Sequence, residues 1–491
     1  MATHHQHQHE QQKHENLSIK DASVIVVMVP FPVHSHMNQL LQLSCLISSY
    51  KIPVHYAGSS IHNSQVRTRA HALNLSEIQF HDFPIPPFVP EFHDFSIPPT
   101  SYSTEFLLPY FHVTEHLRQP VGALIHQLSS KAKRIIIIHD VLTSSVVQDA
   151  ISITNAETYF FQATTVFTVF CFSCAASSEK FLPIPSELAH EIKDPIEIPS
   201  TEGAFSYQTT NFLTRQTQFV KSLSALGTLY NACKVIDGAF LDLLVEKQND
   251  KKGWPIGPLH QVTYNSKNIG RNSINGRDKC LEWLDKQEPD CVLYISFGTT
   301  ISMGDHDQQL KELALGLELS EAKFIWVFTD ADHKKDGLVE SEKGRHELPE
   351  GFEDRVKGKG MVVRDWAPQL EILQHKSTGG FLSHCGWNSC LESISYGVPI
   401  ATWPMHSDQP MNALLITDVL KIGVNVKEWR RRDQVVSSSE ISKALRRLMG
   451  SDEGDEMRKR AKDLGDKVRS ATADGGVSRL ECDSFIAHIT R

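Results

Sequence analysis

The sequence predicts an α/β chain of two Rossmann-like domains with parallel sheets, and three observations carry that expectation. Continuous apolar runs rich in β-branched residues, Ala22–Val29 (ASVIVVMV), residues 134–140 (RIIIIHD) and Val292–Ser296 (VLYIS), read as strands buried on both faces, the habit of parallel sheets. Each such run leads through a short turn into a helical pattern, so the β-turn-α unit recurs in both halves. Between the halves, residues 246–257 (EKQNDKKGWPIG) and the Ser/Asn/Gly stretch up to residue 277 have the composition of an interdomain linker.

Composition bounds the rest. A chain of 491 residues with 40% hydrophobic content can bury more than one core, and its net charge of −9 gives no sign of a nucleic-acid or anionic-membrane partner. Nine cysteines, with the one C-x-x-C (Cys171 to Cys174) inside an apolar aromatic run, argue against a disulfide framework and suit a reducing compartment. No secretory h-region opens the chain and no run of about 20 apolar residues occurs, so a cytoplasmic location is expected. Residues 1–20 carry His4, His5, His7, His9 and His14; a metal-binding tract is one reading, a solvated disordered tail the favoured one.

Taken in order, the first strand ends at residues 30–39 (PFPVHSHMNQ), which enter a helix with Leu40, Leu43, Leu46 and Ile47 on one side. His36 thus lies at a strand's carboxyl end, where open α/β sheets bind ligands, and its near-neutral pKa suits it to take a proton from an alcohol. His34, two residues earlier, is the fallback. The segment Phe80-His81-Asp82-Phe83 recurs as Phe92-His93-Asp94-Phe95, and the prolines around both copies suggest a long aromatic loop with Asp82 and Asp94 at the surface. Asp140 ends the RIIIIHD strand in the same plane as His36, where a carboxylate would fix the imidazole tautomer; His139 is its distractor, and Asp149 reads as solvent-facing. Residues 156–174 hold a dense aromatic run, part core strand and part candidate wall of an apolar pocket.

The second half centres on residues 366–409, WAPQLEILQHKSTGGFLSHCGWNSCLESISYGVPIATWPMHSDQ. Residues 378–384 read as a buried strand and 388–395 as the following helix, joined by His384-Cys385-Gly386-Trp387-Asn388-Ser389. A glycine turn that opens a helix brings free N–H groups and the positive end of the helix dipole to an anion such as a diphosphate. Glu392, one turn on, could accept from paired sugar hydroxyls; Trp366, beside Ala367, Pro368 and Gln369, offers a flat ring for a base; Asp408 and Gln409 could read a sugar. Upstream, Phe297-Gly298-Thr299-Thr300 forms a second glycine turn after a buried strand. At the chain's end, Ser478 and Glu481 fit a capping box, and Phe485, Ile486 and Ile489 give that helix an apolar face.

The 44-residue stretch closely resembles the plant secondary-product glycosyltransferase signature of the family 1 UDP-sugar transferases. PFPVHSHMNQLLQLS, IIIIHDVLTSSVVQDAISI, CLEWLDKQEP, SFGTT, VVRDWAPQLEIL, HSDQPMNA and GGVSRLECDSFIAHITR extend it over nearly the whole chain from about residue 21, towards the zeatin O-glucosyltransferase group. The resemblance implies a GT-B architecture, two facing Rossmann-like domains with a cleft between them. It places acceptor and base in residues 21–250, a linker in 251–277, the UDP-sugar in 278–470, and a helix packing back on the first domain in 471–491.

It further implies an inverting O-glycosyltransferase with UDP-glucose as co-substrate and no other cofactor or metal. His36 and Asp140 would be catalytic, and Thr299, Trp366, Ala367, Gln369, His384, Gly386, Trp387, Asn388, Ser389, Glu392, Asp408 and Gln409 would bind the UDP-sugar, with Trp366 on uracil, Glu392 on ribose, and Trp387, Asp408 and Gln409 facing the sugar. Members usually carry glycine where this chain has Ser35. A zeatin-type cytokinin is the expected acceptor, with phenolic, flavonoid or terpenoid alcohols as the alternative, UDP-xylose as the alternative donor, and a non-catalytic UDP-sugar-binding protein or a sugar-nucleotide epimerase as readings of other classes. A monomer without a membrane span is expected.

Overall fold

The computed structural model describes residues 22–70, 73–88, 104–247, 252–260, 278–298, 307–328, 347–364 and 366–491. The histidine-rich tail, Asp94 with the second FHDF copy, residues 261–277 and Thr299 lie outside them.

Two parallel sheets form the frame. The first contains β1 (Ala22–Val29), β2 (Val54–Ser59), β3 (Ile78–Phe83), β4 (Ala132–Asp140), β5 (Ala156–Gln162), β6 (Gly227–Tyr230) and β7 (Lys252–Pro255) in the order β3-β2-β1-β4-β5-β6-β7. The second contains β8 (Val292–Ser296), β9 (Lys323–Val327), β10 (Gly360–Val363), β11 (Thr378–Ser383), β12 (Ile400–Thr402) and β13 (Gly423–Asn425) in the order β10-β9-β8-β11-β12-β13. The four isoleucines of β4 and every residue of β8 and β11 are buried, as strands covered by helices on both faces must be.

Both orders reverse direction at one place, between β1 and β4 in the first sheet and between β8 and β11 in the second. Such a switch opens a crevice at the strands' carboxyl ends, because the flanking helices turn away to opposite sides. His36 follows β1 and Asp140 ends β4; Gly298 follows β8 and His384 follows β11.

The helices that build the site or join the domains are α1 (His34–Ser49), α2 (Val166–Ala176), α3 (Gln369–Gln374), α4 (Trp387–Tyr396), α5 (Gln409–Leu414), α6 (Asp452–Thr472) and α7 (Val477–Thr490). Val166, Phe170 and Cys171 of α2 share one hydrophobic cluster with Trp387, Leu391 and Ile394 of α4, so a single core crosses the domain seam. α7 returns to the first sheet, where Phe485 packs edge-on to Tyr159 and against Trp254. Arg134 fastens its end, donating to the Ile489 carbonyl at 2.7 Å while pairing with Glu157.

Three expectations are corrected. β7 belongs to the first sheet, so that domain runs past residue 250 into the segment expected to be linker; Gly253 and Trp254 pair with Thr228 and Leu229 of β6. The first FHDF copy is not loop but the last four residues of edge strand β3, since its prolines begin only at Pro84 and an edge strand tolerates polar residues on its open side. The capping box at Ser478 and Glu481 is absent: Gly476 is the N-cap of α7, Ser478 donates to Cys233 Sγ and Glu481 pairs with Lys234.

Candidate functional site

α1 starts two prolines after β1, and its first turn carries His36 to the end of β4. His36 Nδ1 lies 2.6 Å from Asp140 Oδ2, and Asp140 Oδ1 accepts from the Leu142 amide at 2.9 Å. The carboxylate is fully buried while the imidazole keeps a quarter of its surface open. With Nδ1–H donated to Asp140, Nε2 is left as the basic nitrogen. Burial works against a charge on His36, but the Asp140 carboxylate, its hydrogen bond and the more distant Asp408 outweigh it and raise the pKa above the usual histidine value. His34 stands beside Asn38 of its own helix, 3.5 Å away. His139 is buried and turned to the Asp140 carbonyl, and Asp149 pairs with Arg118 at the surface, as expected of both. Ser35 sits inside helical backbone, so nothing there demands glycine.

Across the seam the turn after β11 presents the start of α4. Gly386 is its N-cap and makes no side-chain cap bond; Cys390 is the first amide bonded within the helix, to the Gly386 carbonyl at 3.1 Å. The N–H groups of Trp387, Asn388 and Ser389 therefore stand at the helix's free positive end. The His384 ring is wedged between two glycines: a Cβ at Gly386 would lie 2.5 Å from Nε2, and one at Gly298 2.8 Å from Cε1. Burial lowers the His384 pKa to about 4, which keeps the ring neutral.

Beside this turn, Gln369 at the start of α3 donates to Glu392 Oε2 at 2.6 Å and to Ser389 Oγ at 3.3 Å, and its carbonyl oxygen accepts from Tyr294 at 3.3 Å. Burial pushes the Glu392 carboxyl up to about 7, opposed by the Gln369 bond and reinforced by Glu371. Trp366 leaves 78% of its surface exposed, as a stacking platform requires. Asp408 Oδ2 accepts from Thr164 Oγ1 at 2.8 Å and Asn412 Nδ2 at 2.9 Å.

Three of the residues expected at the donor have side chains engaged within the protein. The Trp387 indole is 3% exposed and donates to the Asn231 carbonyl at 2.6 Å, so only its backbone N–H stands at the helix end. Gln409 is buried, its amide oxygen accepting from the Met405 and His406 amides at 2.8 and 3.1 Å and its amide nitrogen lying 3.3 Å from His406 Nε2, so it shapes the turn before α5. Ala367 packs its methyl in the core, leaving its backbone for a ligand. Reading the sequence alone missed Thr164, which reaches Asp408 from the first domain, as well as Gln39 and Asn231; no local motif marks them.

A base pair of side chains at one crevice and a helix-end anion site at the other is an arrangement for moving a group off a phosphate leaving group onto a hydroxyl. The known proteins that the chain resembles agree. Residues 22–261 match the family model for the glycosyltransferase N-terminal domain, and residues 261–457 match that for UDP-glucoronosyl and UDP-glucosyl transferase. Zeatin O-xylosyltransferase of Phaseolus vulgaris is 49% identical over 94% of this chain and 97% of its own length. Zeatin O-glucosyltransferase of Phaseolus lunatus is 47% identical over 94% and 96%. Among solved structures, a ugt transferase from Siraitia grosvenorii in complex with UDP superposes with a TM-score of 0.72 at 25% identity, covering 95% of this chain and all of that one. The chain therefore belongs to the plant family 1 UDP-glycosyltransferases of GT-B fold, near the zeatin group, and is an enzyme that transfers sugar from a UDP-sugar to a hydroxyl of a small plant metabolite.

Proposed function

We propose that this enzyme transfers glucose from UDP-glucose to the side-chain hydroxyl of a zeatin-type cytokinin, in one inverting displacement with His36 as base. The observation that carries the base assignment is the 2.6 Å His36–Asp140 contact at the crevice facing the start of α4. In that step Nε2 takes the hydroxyl proton as the acceptor oxygen bonds to the anomeric carbon and the bond from that carbon to the phosphate oxygen breaks. Asp140 holds the imidazolium that results, and UDP departs with the bonding electrons toward the amides of residues 387–389.

The acceptor reading draws on the zeatin activities in the relatives' names and on the apolar aromatic packing behind His36. Phe31 stands edge-on to the His36 ring with centroids 5.5 Å apart, backed by Phe111 and Phe212 stacked at 3.9 Å. These three rings are buried in one core cluster and make the ground behind His36 apolar, which is compatible with a flat heteroaromatic acceptor. UDP release measured with UDP-glucose and UDP-xylose, each against trans-zeatin, cis-zeatin, flavonoids, phenolics and terpenoid alcohols, tests both halves. Highest kcat/KM for a zeatin with UDP-glucose is expected. Preference for UDP-xylose, in keeping with the Phaseolus vulgaris relative's name as a xylosyltransferase, would replace the donor; turnover confined to other alcohols would replace the acceptor.

Two expected results concern the donor side. Gly386→Ala would drive a methyl into His384, which Gly298 stops from retreating, so UDP affinity measured by calorimetry should fall roughly 10- to 100-fold, the worth of a hydrogen bond to a charged group. Glu392, raised to about 7, accepts ribose hydroxyls well only when ionised. Relative to Glu392→Gln, wild-type UDP affinity should therefore weaken by about tenfold per pH unit below 7 and level off above it; parallel pH profiles would remove Glu392 from ribose binding.

A further inference from the structure

The two crevices are joined by a chain of side-chain hydrogen bonds that crosses the domain seam. Gln39, in the second turn of α1, is 3% exposed and donates through Nε2 to Asn388 Oδ1 at 2.5 Å and to the Ala163 carbonyl at 3.1 Å. Asn388 returns the link, donating through Nδ2 to the Ser35 carbonyl at 3.1 Å. The polarity is fixed at every step: Ser35 O and Ala163 O can only accept, so Asn388 must turn its NH2 to Ser35 and its oxygen to Gln39, and Gln39 must turn its NH2 to both of its acceptors.

Three elements meet at this point: the helix start that carries His36, the β5–α2 turn whose Thr164 holds Asp408, and the helix start that receives the leaving group. A cavity of about 210 Å³ separates Asn38 and Gln42 from Leu370 and Glu392 beside the link, so direct packing does not hold the helices together there.

We infer that Gln39 is a positioning residue for transfer, setting the distance between the His36 base and the leaving-group end of α4 through the Asn388 side chain. Asn388 then acts mainly as a strut between domains, and the diphosphate is held by the backbone amides of α4. Misplacing a base and a leaving group relative to each other lowers the rate of the chemical step, while binding of the diphosphate to the α4 amides is spared.

The inference rests on His36 being the base, which His36→Ala tests by itself. The experiment here is a double-mutant cycle of Gln39→Met and Asn388→Ala on the full chain, with kcat measured under saturating substrates and UDP affinity by calorimetry. Methionine keeps the volume of glutamine and removes its donor. Each single variant is expected to lower kcat at least ~10-fold with UDP affinity changed less than ~3-fold, and the double variant to fall no further than the worse single one. Full kcat in Gln39→Met would show that only its bulk matters and overturn the proposal. So would multiplying losses in the double variant, or loss of UDP affinity in Asn388→Ala that does not depend on Gln39, since Asn388 would then be a direct phosphate ligand.

Discussion

His36→Ala lowers kcat at least ~10²-fold with UDP affinity nearly unchanged, if the imidazole removes the acceptor proton as its geometry suggests. The companion variant Asp140→Asn separates base from orienter. An asparagine can still meet the ring but supplies no charge, and its NH2 competes for the nitrogen that the carboxylate kept protonated. The raised His36 pKa would lose its main support, leaving burial to lower it. A base works only when neutral, so the acidic limb of the kcat profile in Asp140→Asn should move to lower pH even as its plateau drops. An unmoved limb would mean that another group titrates there, and undiminished turnover in His36→Ala would shift the role to His34.

What the sequence disclosed follows a physical divide. β1 and β8 were legible to the residue because parallel strands covered on both faces need unbroken apolar runs, and such runs admit few other readings. β3 hid because an edge strand can carry His81 and Asp82 without penalty, and prolines following it suggested loop. In the site, everything that lies within one turn of its own strand could be read locally: His36 after β1, Asp140 at the end of β4, Gly386 before α4.

Contacts made between distant segments could not. Gln39 and Asn388 lie 349 positions apart, and Thr164 and Asp408 244 apart, and neither glutamine nor threonine advertises a partner. Trp387 is ambiguous for the opposite reason. A tryptophan beside an anion site invites a ligand role, yet the same large ring is the most effective filler for a seam between two domains, and only the three-dimensional packing decides which use it serves.

That decision has a measurable consequence. Trp387→Ala should lower unfolding stability by about 3–5 kcal/mol, the cost of emptying a buried aromatic site. Trp387→Phe keeps most of the apolar contact but strands the Asn231 carbonyl, a cost of about 1–3 kcal/mol. Asn231 also accepts the Leu259 amide at 2.8 Å through its side chain, so the same residue holds the chain where it leaves the first domain and the indole that enters from the second. Loosening it should reduce the cooperativity between the two halves, read as a broadened or split denaturant transition, while the KM for UDP-glucose in Trp387→Phe stays within ~3-fold of wild type because the Trp387 backbone N–H is untouched. A raised KM with unchanged stability would return the indole to the sugar site, since a side chain that binds donor in an open cleft contributes little to holding the free protein together.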